Sequence, residues 1–195
     1  MRMTPKQYLT GVFVAIVAVC NCLAAKEKAP PDPRFTAIES IVILPMVDAR
    51  SGTKENVKLE DLQKSVLKSL EKRRYKVSLS DNAGTVGEIT EEDLKDAKPA
   101  WIQKLGPAEA RWVMVVCVND VASKMTFGST GNAEVSGYLY DKQTATVVWR
   151  DKGIGQAGQG GLAGMMLKST MKGEALHAAI YNLLSSIPKL PKPPK

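Results

Sequence analysis

Residues 111–164 read RWVMVVCVNDVASKMTFGSTGNAEVSGYLYDKQTATVVWRDKGIGQAGQGGLAG, and this stretch decides the fold. Residues 112–118 (WVMVVCV) are an unbroken apolar run, as expected of a central strand covered on both faces. A Ser/Thr/Gly bend over 123–132 (SKMTFGSTGN) has the polarity of an exposed hairpin tip. A second strand follows over 133–141 and a third over 146–152. The interval 141–145 is short enough to force antiparallel pairing, and Val135, Leu139, Val147 and Trp149 suit a covered face. Six glycines then fall in the twelve positions 153–164. Their density predicts a loop with almost no side chains before a closing helix.

Upstream, residues 41–47 (IVILPMV) form a further apolar strand whose far end is weakened by Pro45, which lacks an N–H. Leu59, Leu62, Val66, Leu67 and Leu70 keep helical spacing, with Asn56 as a candidate N-cap. A short strand follows over 75–79. Thr90 and Asp93 fit a capping box, opening two short helical pieces over 91–105 that are separated by Pro99 and closed by Gly106. Downstream, Leu176, Ile180, Leu183, Leu184 and Ile187 mark a final amphipathic helix, with Gly173 breaking it from an earlier piece around 165–171. Pro188 ends it. The fold class is α/β: a single mixed five-stranded sheet in the order 2-1-3-4-5, its last strands antiparallel, with packed helices.

The 195 residues carry a net charge of +7. Residues 1–25 read as an export signal: Arg2 and Lys6 form a charged start, and 11–19 an apolar core too short to span a membrane. Two processing routes stay open. Val17-Ala18-Val19-Cys20 resembles a lipobox that would place a lipid on Cys20, although Val19 stands where such boxes carry a small residue. Cleavage near Ala24 or Ala25 is the other route. Residues 26–36 form a Pro-rich linker, 37–187 the α/β domain, and 188–195 a Pro/Lys tail without capacity to pack. Removing Arg2 and Lys6 with the leader leaves +5. The basic residues are scattered and aromatics are 6%, which argues against nucleic acid. Cys117, between two valines, reads as a packed, inert thiol, and the three cysteines build neither a disulfide framework nor a zinc site.

Strand, helix, strand, short helices, three strands and a helix, behind an export leader, resembles bacterial envelope lipoproteins with the α/β domain of the TolB amino-terminal region. The periplasmic part of the curli secretion lipoprotein and the lipoprotein activators of peptidoglycan synthases are similar. The matching stretches are 41–47 with Asp48, 110–120, and especially 137–151 (GYLYDKQTATVVWRD), a strand, a YD-x-x-T turn and a strand ending in Trp-Arg. These motifs mark a hairpin and a core, so the resemblance implies fold more than function. The pore-forming insertions of the curli channel are absent, and residues 153–164 depart from the pattern.

Candidate chemistry is sparse. Residues 153–158 spell GxGxxG after a strand, but no strand follows the next helix, so a dinucleotide-binding βαβ unit cannot be completed. Asp48, Asp81 and Asp120 each sit just after an expected strand. In a 2-1-3 arrangement Asp48 and Asp120 would flank the crevice where open α/β sheets bind ligands, and could hold a divalent cation or act as acid and base. His177 is the single histidine and lies off the apolar stripe, so no Ser-His-Asp or Cys-His arrangement exists. Met125 and Phe127 in the bend, and Gln156 and Gln159 in the glycine run, are candidate partner contacts. The expectation is an exported, lipid-anchored, non-enzymatic binding or assembly module without cofactor, located in the periplasm or at the outer membrane. Its partner would be an envelope protein or peptidoglycan-associated machinery. The alternative is a small metal-dependent hydrolase or ligand-binding protein using the strand-end aspartates.

Overall fold

A computed structural model describes residues 33–50, 57–84, 89–126, 128–160 and 168–192. The leader with Cys20, the linker up to residue 32, Asn56, Phe127, residues 161–167 and the last three residues lie outside these. In chain order the elements are α1 (Pro33–Thr36), β1 (Ser40–Ile43), β2 (Val47–Asp48), α2 (Leu59–Glu71) and β3 (Lys76–Leu79). They continue with α3 (Glu91–Asp96), α4 (Pro99–Ile102), β4 (Trp112–Thr126), β5 (Gly128–Asp141), β6 (Thr146–Gly160) and α5 (Lys168–Ser185).

The sheet order is β3-β1-β4-β5-β6, the expected order, with β1 parallel to β3 and β4 and the last three strands antiparallel. It has six strands rather than five because the first expected strand is interrupted. Pro45 cannot donate to the ladder, so β1 stops at Ile43 and pairing with β4 resumes in β2, Val47 opposite Cys117. The break frees the carbonyl of Leu44, and buried Gln63 of α2 donates its side-chain N–H to it at 3.1 Å.

Period-two alternation sends the two sets of strand residues into separate cores. Ile41, Ile43, Met114, Val116 and Val118 pack with Leu62, Val66 and Leu70 of α2 and with Leu176, Ile180 and Leu183 of α5. Leu44, Val113, Val115, Cys117 and Tyr140 pack with Leu94 and Ile102 of α3 and α4. Thr90 caps α3 as expected, its hydroxyl accepting from the Asp93 N–H, and Pro99 starts α4. The N-cap of α2 is instead Lys58, which makes no side-chain cap hydrogen bond.

Four expectations are corrected. Residues 33–36 of the supposed linker are helical and bury Phe35. Gly173 does not break α5, which runs through it unbroken. The Pro/Lys tail packs as far as Leu190: Arg73 donates to the carbonyl of Ile187 at 2.6 Å, Tyr75 to Pro188 at 2.9 Å and Arg74 to Leu190 at 2.8 Å. Three consecutive side chains thus take carbonyls of this proline-rich segment.

The fourth correction concerns the glycine run. Residues 153–160 are not loop but the second half of β6, paired with β5 from Gly153 opposite Val135 to Gly160 opposite Gly128. A Cβ on Gly131 would overlap the carbonyl of Met171, one on Gly155 that of Ala175, and one on Gly153 that of Ala179; one on Gly137 would crowd Trp149 and Leu183. Met171, Ala175, Ala179 and Leu183 form one i, i+4 row of α5. The glycines are therefore a file on the sheet onto which the backbone of α5 settles, an approach that no side chain permits.

Candidate interaction surface

The aspartates do not form a shared site. Asp48 ends β2, and Arg50 holds both of its carboxylate oxygens, Nε to Oδ1 and Nη2 to Oδ2 at 2.7 Å each. It borders a cleft of about 570 Å³ at the carboxyl end of the parallel strands, lined also by Met46, Ile89, Thr90 and Glu91. Asp81 is exposed beyond β3. Asp120 does not follow a strand, because β4 continues to Thr126. Asn119 forms a β-bulge, after which Asp120 lies opposite Glu134. The register therefore places Asp48 on the face of Val118 and Asp120 on the other face. Among the described residues no group of three or more His, Cys, Asp or Glu could hold a metal ion.

Cys117 is fully buried and burial pushes its thiol up to about 11, as for a packed, unreactive sulfhydryl. His177 is exposed and shares a 3.1 Å hydrogen bond with the hydroxyl of Ser65, linking α5 to α2. The GxGxxG glycines lie within a strand, so they cradle no phosphate at a helix N-terminus.

A different feature stands out. Parallel pairing to β4 ends at Val118, yet β4 runs on to Thr126 and β5 and β6 accompany it. The expected bend over 123–132 is strand on both sides of residue 127. The three strands thus project beyond the rest of the sheet as a meander, with α5 on one face. Below Val118 the other face carries α3 and α4; beyond it lies an open polar platform. Thr130 and Gln156 are exposed there, Asn132 is half-buried opposite Gln156, and the Ile154 side chain is 62% exposed. Thr130, Asn132, Gln156 and Gly158 border a shallow pocket of about 340 Å³.

The base of the platform is locked by polar bonds. Glu134 accepts from Lys152 at 2.7 Å and from Asn119 at 3.2 Å, and Asn119 also donates to Ser136 at 2.6 Å. These bonds, the lysine's foremost, hold the Glu134 carboxyl below its usual range. The strand period splits the candidate contacts: Gln156 is on the platform, whereas Gln159, opposite Ser129, takes the other face. Met125 pairs with Ser129, and Phe127 lies outside the described residues. Thr130, Asn132 and Ile154 were missed, although a signal exists: residues 152–157 (KGIGQA) alternate large with small.

No helix among the described residues is long and apolar enough to cross a membrane. No family model matches the chain and no curated protein matches it. Solved structures do. A PelC dodecamer from Paraburkholderia phytofirmans is 14% identical, with 83% of this chain and 96% of that one covered and a TM-score of 0.49. Lipoprotein GNA1162 from Neisseria meningitidis is 15% identical, covering 67% and 94%, with a TM-score of 0.46. A minor lipoprotein from Acinetobacter baumannii is 11% identical, covering 77% and 88%, with a TM-score of 0.38. Bacterial lipoproteins, the group the sequence resembles, thus recur among the structures this chain is similar to. Likeness at this level carries no inference about what the chain binds.

Proposed function

We propose that this chain is an exported, lipid-anchored, non-enzymatic binding or assembly module of the cell envelope, held at the membrane through Cys20. It engages an envelope protein or peptidoglycan-associated machinery through the platform of the projecting meander. The observation that carries the reading is the projection itself. Three strands outrun the sheet, a helix braces them from behind, and their front is left uncovered by the described residues, with a large apolar side chain, Ile154, at its outer strand. An apolar residue ringed by hydrogen-bonding groups is what the centre of a protein–protein contact requires. No nucleic acid and no cofactor enter this reading.

Affinity capture from solubilised envelopes tests it, comparing the wild-type chain with Ile154→Ser combined with Gln156→Arg. Both side chains are exposed, so melting stays unchanged. Recovery of the specific partner falls about tenfold or more. Undiminished capture by the double variant would remove the platform from the account.

A further inference from the structure

Two basic runs far apart in the chain meet at one edge of the sheet. Lys72, Arg73, Arg74 and Lys76 occupy the turn from α2 into β3, and Lys189 and Lys192 lie in the tail. The bonds from Arg73, Arg74 and Tyr75 to tail carbonyls bring them together, and the Leu190 N–H returns one to Arg73 at 3.0 Å. Lys72, Lys76, Lys189 and Lys192 are exposed, and none forms an ion pair with a described residue. The carboxylates nearest in sequence and register are Glu71, beside Lys72, and Glu39, beside the Ser40 that pairs with Lys76.

The location gives the patch its meaning. Ser40 opposite Lys76 places the start of β1, and with it the chain's entry from residue 33, at this same edge. β4 runs parallel to β1 from here, so the meander tip lies at the other end, roughly 45 Å along β4. A tether entering at residue 33 would join the domain at this edge, at the end opposite the platform.

We infer that this edge is a membrane-contact surface that takes the phosphate-bearing headgroups of anionic lipids. Its role is to orient the domain: an acyl anchor alone leaves the domain free to tumble on its linker, whereas several exposed ammonium groups beside the entry point fix one end to the surface. The orienting role rests on the lipid anchor at Cys20 proposed above; the lipid contact does not.

The test uses the full chain carrying Cys20→Ser, so that no acyl group contributes, and sedimentation with phosphatidylglycerol-containing or phosphatidylcholine-only vesicles. The chain binds the anionic vesicles preferentially, and added salt removes the preference. Replacing Lys72, Lys76, Lys189 and Lys192 by Gln weakens the anionic binding by about tenfold or more. Replacing Lys58, Lys98, Lys104 and Lys124 by Gln subtracts the same charge and leaves it unchanged. Equal loss in the two quadruple variants, no preference between vesicles, or a preference for soluble polyphosphate over the bilayer would overturn the inference. Labelled palmitate on the wild-type chain in cells reports the anchor separately, so absent labelling with intact vesicle selectivity removes the anchor and spares the patch.

Discussion

Gly155 and Gly158 sit three positions apart in one strand and face different demands. A Cβ at Gly155 would overlap the carbonyl of Ala175, whereas one at Gly158 would meet the Thr130 methyl at 3.4 Å, near ordinary contact. Neither has the positive φ that favours glycine, so the difference is one of space alone. Gly155→Ala must lift α5 from the sheet and is expected to cost about 3 kcal/mol, while Gly158→Ala stays within about 0.5 kcal/mol. Denaturant melts of the two variants check this. Equal stabilities would mean that α5 does not rest on the glycine file. The file also shows where composition misleads: the run looks like a loop until the alternation of Gly153 and Gly155 with Lys152, Ile154 and Gln156 is read as a strand with one face pressed against a helix.

At the scale of elements, the β5–β6 hairpin is pinned at its turn by Asp141. Burial disfavours its charge, but Arg111 donates to both oxygens at 3.1 and 3.0 Å and the Gln143 N–H adds 2.9 Å, holding the carboxyl below its usual range. A lowered folded value stabilises the fold above the unfolded value near 4 and loses that contribution as pH falls through the folded one. Asp141→Asn is therefore expected to melt about 1–2 kcal/mol below wild type at neutral pH, with the gap closing as pH drops below about 4. A gap independent of pH would contradict the ionised pair. The hairpin, the order of the strands and the capping box at Thr90 were legible because they depend on local spacing. The strand ends were not. Where β4 stops depends on β5 and β6 continuing beside it, and the docking of the tail depends on Arg73, Arg74 and Tyr75, which nothing in the tail's own composition reveals. The candidate site was legible only at Gln156, for the same reason: its face exists because two neighbouring strands extend as far.

At the scale of the whole molecule, the two ends differ in chemistry. One edge gathers the chain entry, the α2–β3 turn and the docked tail under a cluster of lysines and arginines. The other end presents hydroxyl and amide side chains with Ile154 among them. On the two proposals above, the domain stands on one end and offers the other. Site-specific photocrosslinking in intact envelopes tests that polarity directly, with a photoreactive residue placed singly at Thr130, Gln156 or Lys76. The account predicts discrete protein adducts from Thr130 and Gln156 and lipid adducts without a discrete protein band from Lys76. Protein adducts from Lys76 with none from the two platform positions would contradict it.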